Sequence, residues 1–370
     1  MTNKLFLLLS FGFGGAESRI LKVANKTLGE NDYICINSEF LDKAKSREDL
    51  NVVVTELIKK DKLIFLPKVP KMIKNRFGLH FLWVLFFGSL TIIRHRPRLF
   101  HSVLGGILLT FVAKICGSKT IVELTSPDNV KFCSNFSLFL VKFTDLFLAV
   151  SKSVEAKAKK EIPNIREIET YPIPYYESKN TKVNNTEDTG VITISFCARL
   201  IPRKNALLFS RAIKKLHSMR QDFIVNLMGD GPELNQVKAI LKDEIKCGIV
   251  KLGRVENPFE VLLKTNIFVS LIEPDNYPSQ SVMEAMDSCN ALLLSDTGFS
   301  REFIDNNGLL TKLTVDDVVL NLDTLMNDRN MLNQYSIISS TVLNKKFNSV
   351  IFTTFLSTIN KKLLNCYYAN

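Results

Sequence analysis

The chain has 370 residues, 46% of them hydrophobic, and a formal net charge of +11. That length implies two domains at about 150 residues each, and that hydrophobic fraction excludes a disordered chain. Seven cysteines stand singly, with no C-x-x-C pair and only four histidines, which excludes a zinc framework and points to reduced thiols in the cytoplasm.

The first apolar run, Leu5 to Leu9, follows the single charge of Lys4. It has the look of a secretory leader, but it is short, and the next segment has helical spacing. A buried strand, a glycine-rich turn and a helix over Ala16 to Leu28 is the better reading. Gly12, Gly14 and Gly15 let backbone approach a ligand. The G-x-G-x-x-G dinucleotide fingerprint fails, because Glu17 stands where its third glycine belongs. Tyr33 to Ile36 reads as a second strand, Phe40 to Asn51 as a charged connection, and Pro67 to Pro70 as a loop.

From Lys62 to Val122 there is no acidic residue, while the same window holds ten Lys or Arg. This field points to an anionic partner such as a phospholipid surface or a lipid pyrophosphate. Nothing in the window resembles a helix-turn-helix or an aromatic RNA platform, so nucleic acid is not expected. Phe77 to Ile93 is the most apolar part of the chain, with Lys71, Lys74 and Arg76 before it and Arg94, Arg96 and Arg98 after it. Its length is at the lower limit of a membrane span. A core helix and an interfacial helix are the competing readings. A span would split the sheet that the flanking strands imply, so a core helix with partial membrane exposure is preferred.

Further strands are expected at Arg98 to Ser102, Lys119 to Leu124 and Asp145 to Val150. Helices are expected up to Cys116, over Phe132 to Phe143, and over Val154 to Glu161 with Ser151 as its cap. Strands alternating with helices make a doubly wound parallel sheet, whose ligands bind at the carboxyl ends of the strands. His101, Thr125 and Ser126 stand at such ends and are the acceptor-side candidates. A lone histidine such as His101 is more often structural.

Glu177 to Gly190 is polar, lacks apolar periodicity and reads as a linker. A second set of alternating elements follows. Its strands are Val191 to Cys197, Phe223 to Met228, Ile249 to Leu252 and Ile267 to Leu271. The expected domains are 1–180 and 190–348, with a basic amphipathic tail helix in 349–370 packing back on the first domain.

Pro274 to Leu294 is the most informative stretch. Asp275 to Pro278 favour a turn, and the helix that follows offers N–H groups and a favourable dipole to an anion. Ser279, Gln280 and Ser281 add donors, and Glu284 suits the paired hydroxyls of a ribose. Upstream, Arg199 and Lys204 follow a strand end across a proline-containing loop. Two cations there suit a diphosphate whose charge grows as the bond to it breaks. No D-x-D pair, P-loop, H-E-x-x-H or Ser/His/Asp order is present, so no metal site and no cofactor are expected.

The motifs A-R-L-I-P-R-K-N (198–205), M-G-D-G-P-E-L (228–234), L-G-R-V (252–255), N-Y-P-S-Q-S-V-M-E-A-M (276–286) and L-L-L-S-D-T-G-F-S-R-E-F-I-D-N-N-G-L-L (292–310) resemble the GT-B glycosyltransferases of family 4. Weaker matches are G-G-A-E (14–17), R-P-R-L-F-H-S (96–102) and A-V-S-K-S (149–153). The resemblance implies an α/β protein with two Rossmann-like doubly wound domains facing a central cleft. It implies a retaining, metal-independent hexosyltransferase that takes a nucleotide diphosphate-sugar donor. The acceptor expected here is a lipid-linked saccharide of surface polysaccharide synthesis, at the inner face of the cytoplasmic membrane. Carried over, Arg199 and Lys204 hold the donor diphosphate and are the catalytic residues. Glu284 binds the ribose, Ser281 and Val282 lie at the phosphate-binding helix start, Gly14 and Gly15 lie beneath the diphosphate, and Arg254 and Val255 lie near the nucleobase. Asn276 stands where the family has the first glutamate of an E-x7-E motif, and Thr125-Ser126 replaces a histidine. A non-catalytic sugar- or lipid-binding GT-B subunit is the alternative reading. A nucleotide-sugar oxidoreductase or epimerase is a weaker one, against the failed glycine fingerprint.

Overall fold

Seven parallel strands and six parallel strands form two separate sheets. The computed structural model describes residues 3–9, 15–46, 48–70, 77–103, 106–136, 138–179 and 190–368. Gly14, Lys71, Lys74, Arg76 and most of the expected linker lie outside the described residues. The chain divides into two units, one of residues 1–175 with 349–370, the other of residues 176–348.

In the first unit the strands are β1 (Lys4–Leu8), β2 (Asp32–Asn37), β3 (Leu63–Leu66), β4 (Leu99–Val103), β5 (Lys119–Leu124), β6 (Leu146–Ala149) and β7 (Ile168–Thr170). Their order is β3-β2-β1-β4-β5-β6-β7. The central strands are continuous apolar runs because helices cover both faces of the sheet. Every residue of β1, β4 and β6 is buried. The tail helix Ser349–Tyr368 sets Phe352, Leu356, Ile359 and Leu363 into this unit's core, on one face at helical spacing. Phe352 stacks on Tyr171 at 4.3 Å.

The expected connection at Phe40 to Asn51 is instead two helices, Ser38–Lys45 and Glu48–Lys59. Phe40 with Ala44, and Leu50 with Val54 and Leu57, are buried at three- and four-residue spacing, which the abundant charges mask in sequence. The Phe77–His95 helix has one face in the core and one in solvent.

A buried polar cluster crosses this unit. Glu123 on β5 accepts hydrogen bonds from Arg19, on the helix Gly15–Thr27, and from the Tyr171 hydroxyl at 3.2 Å. His101 Nε2 lies 3.4 Å from Glu123 Oε2. Burial pushes the Glu123 carboxyl up, but the Arg19 guanidinium and His101 outweigh it and hold it at about 2. Burial pushes the His101 imidazole down to about 4, and the Lys4 ammonium, over the Phe6 ring, down to about 7.

The second unit has β8 (Ile192–Cys197), β9 (Phe223–Met228), β10 (Val250–Gly253), β11 (Ile267–Ser270), β12 (Ala291–Ser295) and β13 (Gly308–Thr311). Their order is β10-β9-β8-β11-β12-β13. The boundary at Tyr175–Tyr176 comes before the polar linker for a physical reason. Buried Asp287 accepts from the Tyr176 hydroxyl at 3.0 Å and from the Lys179 backbone N–H at 2.7 Å, so the start of the polar stretch belongs to the second unit. β7 and β13 were not expected from sequence. Both are edge strands of three or four residues, too short for a periodic signal.

Glu123→Ala leaves the Arg19 guanidinium buried without its carboxylate. It should cost ~3–5 kcal/mol in urea denaturation. In the parent the folded state holds Glu123 below its ordinary 4.5, so its contribution is present above that pH and is lost as pH falls toward about 2.

Candidate functional site

The chain reverses its winding between β8 and β11, which are paired neighbours, Val269 beside Phe196. Strands added after β8 go to one side, β9 then β10, and those after β11 go to the other. Such a switch point is where open α/β sheets bind ligands. The loop after β8 carries Arg199 and Lys204. The loop after β11 carries residues 271–279 and leads into the helix Gln280–Asp287.

The first loop is held on two sides. Ala198 N–H donates to Met228 O at 3.1 Å, Leu200 N–H to Asp230 O at 2.9 Å, and Glu233 N–H to Leu200 O at 3.2 Å. These bonds require the 228–233 turn to lie against the loop's backbone. A Cβ on Gly229 would lie 2.0 Å from Ala198 O, and one on Gly231 2.4 Å from Leu200 O. The glycines of G-D-G-P thus serve a backbone-to-backbone approach. On the other side Asn205, at φ 55°, donates its amide to Leu271 O at 2.9 Å, and Glu273 N–H donates to Arg203 O at 3.1 Å. The two loops are one hydrogen-bonded body.

Arg199 is exposed, and Lys204 ends a 3-10 turn over Pro202–Lys204. Burial pushes the half-buried Lys204 ammonium down to about 8, with the Arg203 charge adding to the effect. A cation held in that environment gains from an anion beside it.

In the second loop Asn276 is buried, its amide 3.3 Å from the Ser270 hydroxyl. Two carboxylates lie near it in sequence, Glu273 and Asp275. Glu273 is exposed. Asp275 Oδ1 accepts the N–H groups of Tyr277 and Phe299, each at 3.0 Å, and a Cβ on Gly298 would lie 2.4 Å from that oxygen. Ser279 precedes the helix, its hydroxyl 3.3 Å from that of Ser281. The first-turn N–H groups of Gln280, Ser281 and Val282 have no carbonyl one turn back within the helix. The Val282 side chain is core.

Glu284 lies in the second turn of its helix. The helix starts at Gln280, so Glu284 is its fifth residue and not a first-turn residue. Its charge is felt at Cys197, the last residue of β8, whose thiol burial and then Glu284 push up to about 12. It also adds to the burial and the Asp287 charge that push the Tyr176 phenol well up. Glu284 therefore lies within electrostatic reach of the carboxyl end of β8. Arg254 and Val255 follow β10 at the same sheet edge, two strands away, with Arg254 exposed and Gly253 O accepting from Gly229 N–H at 2.9 Å. Asp287 was missed in sequence. Its partners, Tyr176 and Lys179, lie more than a hundred residues away, beyond any spacing rule.

The first-unit candidates fare differently. Gly15 is the first residue of its helix. Thr125 and Ser126 follow β5, but their hydroxyls are engaged with Asn129, that of Thr125 at 2.7 Å to Oδ1 and that of Ser126 at 3.3 Å from N–H. His101 lies inside β4, not past its end, and is 0% exposed beside Glu123. It is a core histidine, and the acceptor-side reading of this residue is corrected accordingly.

Residues 177–339 match the family described as glycosyl transferases group 1. The second unit is a group 1 glycosyltransferase domain. The O-antigen biosynthesis glycosyltransferase WbnH of Escherichia coli is 30% identical over 191 residues, 51% of this chain and 53% of that protein. The chain thus spans about half the length of the curated relatives it matches. Over the whole chain the fold is that of solved GT-B glycosyltransferases. A glycosyltransferase from Rickettsia africae superposes with a TM-score of 0.73 at 17% identity, covering 98% of both chains. Anabaena HepE, solved with UDP and glucose, superposes at 0.74 with 15% identity, covering 98% of this chain and 100% of that one. The motifs of the glycosyltransferase domain coincide with the two loops joined at the switch point.

Gly229→Ala should lower the urea midpoint, with a cost of ~1–3 kcal/mol from the forced backbone shift. Gly78→Ala, where a methyl meets nothing within 4 Å, should not lower it. Equal midpoints for the two variants would remove the glycine turn as the brace of the Arg199 loop.

Proposed function

We propose that this protein is a retaining glycosyltransferase. It moves a hexose-type sugar from a nucleotide diphosphate-sugar to a hydroxyl of a lipid-linked saccharide, in surface polysaccharide synthesis, without a metal. It works at the inner face of the cytoplasmic membrane. The observation that carries this reading is the joining of the Arg199–Lys204 loop to the loop of the Gln280–Asp287 helix, at the switch point of a group 1 glycosyltransferase domain. The names of similar proteins agree with it. WbnH is an O-antigen biosynthesis glycosyltransferase, HepE was solved with UDP-glucose, and WaaB is a lipopolysaccharide outer core galactosyltransferase.

In this mechanism the donor diphosphate takes the charge of Arg199 and Lys204 and the first-turn N–H groups of Ser281 and Val282, with Ser279 and Gln280 beside them. These groups stabilise the negative charge that develops as the glycosidic bond to phosphate breaks. Lys204, half-desolvated in the free protein, holds its proton more tightly when the diphosphate arrives. Glu284 takes the ribose hydroxyls, and Arg254 and Val255 flank the base. Thr125 and Ser126 remain the acceptor-side candidates of the first unit. The leaving phosphate itself accepts the proton of the incoming hydroxyl. The second reading, a non-catalytic sugar- or lipid-binding subunit, rests on the buried amide of Asn276, with Asp275 already engaged by backbone.

A panel of nucleotide sugars with native lipid extract distinguishes the two. Turnover with one donor is expected, and Arg199→Ala or Lys204→Ala should lower kcat by ~10²–10³-fold. Nucleotide binding with no turnover from any donor would favour the second reading. The parent's kcat/KM for donor should fall as pH rises through about 8, where free Lys204 loses its proton and with it the charge that attracts the diphosphate. In Lys204→Arg the guanidinium stays charged, so that limb should move to higher pH.

A further inference from the structure

The Phe77–His95 helix carries two opposite stripes. His80, Val84, Gly88 and Ile92, every fourth residue, are buried toward the sheet. A Cβ on Gly88 would lie 2.7 Å from Leu109 Cδ1, and Val84 and Ile92 share a core with Leu66 and Phe100. On the other side Leu79, Leu82, Phe86, Leu90 and Ile93 are between 41% and 60% exposed. At 3.6 residues per turn these five fall within an arc of roughly 80°. One exposed leucine needs no explanation, but a continuous stripe of five large apolar side chains does.

Three occupants are conceivable, and the surroundings choose among them. A membrane span would require the helix to leave its sheet. Its buried stripe is core, Trp83 Nε1 donates to Pro67 O at 3.3 Å, and the chain enters the central strand β4 four residues after the helix ends. A second copy would bring cation to cation. Arg94 and Arg96 at the helix end and Lys68 beside Pro67 are exposed, and no acidic residue occurs between Lys62 and Val122 to pair with them. Like charges facing each other across an interface oppose it. An anionic bilayer surface satisfies both features, with acyl chains for the stripe and headgroups for the cations.

We propose that the Leu79, Leu82, Phe86, Leu90 and Ile93 face of this helix inserts into the headgroup–acyl boundary of an anionic phospholipid bilayer, the helix axis lying along the membrane plane. This gives a definite surface to the membrane location proposed above, on which it rests. The transfer chemistry stands or falls separately, because the test below contains no sugar donor.

Trp83, the sole tryptophan of the chain, lies on this helix and reports directly. The full-length protein is floated with vesicles of phosphatidylcholine alone or mixed with phosphatidylglycerol. Flotation with the mixed vesicles is expected, with a blue shift of Trp83 emission and quenching by lipids brominated in the acyl chain. Leu82→Asp with Phe86→Asp changes only exposed positions and should keep the parent's circular dichroism while weakening vesicle affinity at least ~10-fold, as loss of buried apolar area predicts. Arg94→Glu with Arg96→Glu should weaken binding to the phosphatidylglycerol vesicles. Parent protein that does not float with them overturns the proposal. So does flotation with unquenched Trp83 and undiminished affinity in the Leu82/Phe86 variant, which would move the contact to another face. A solution dimer that the same variant converts to monomer would assign the stripe to a second copy and also overturn it.

Discussion

The glycosyltransferase domain depends on a backbone constraint. The loop after β8 is clamped by N–H to carbonyl bonds to the 228–233 turn on one side and to residues 271–273 on the other. Loops usually carry the most mobile backbone of a fold. Here the neighbouring turn can come close enough to bond only because Gly229 and Gly231 have no side chains. Arg199 and Lys204 leave a backbone that is braced on both sides, so both side chains start from fixed positions.

The same end of the sheet gathers groups that would be costly without that frame. Lys204 is desolvated enough to lose affinity for its proton, and the charge of Glu284 is felt at the half-buried thiol of Cys197. Asp287 answers donors from Tyr176 and Lys179, fastening the start of the unit to the far end of the helix. A helix with its C-terminal end so tied presents its N-terminus in a fixed direction. Asn276 is the point of departure. Its neutral amide is satisfied by Ser270 in a site where the family resemblance calls for a carboxylate.

In the first unit the constraint is electrostatic. Glu123, Arg19 and His101 come from three different elements, Tyr171 from the segment after β7, and they share one buried cluster. A buried carboxylate stays ionised only with such partners. The cluster fixes the Gly15–Thr27 helix against β4 and β5 and turns His101 inward. The Phe77–His95 helix, in contrast, leaves half of its apolar surface unused by this core.

The sequence by itself determined the two doubly wound units, because parallel strands buried on both faces must be apolar runs separated by helices. It also marked the glycosyltransferase motifs, since tight turns, cations and helix starts are local signals. Arg199, Lys204 and the 276–286 stretch were legible for that reason. Only the tertiary structure decided that G-D-G-P braces the Arg199 loop, that Asp287 holds Tyr176, that His101 is core, and that two helices replace the connection after Phe40. It also decided that the most apolar helix keeps one stripe in the core and one in solvent. Each of these depends on partners far apart in the chain or on which side of an element faces the core, and both are set by the sheet's strand order rather than by residue spacing.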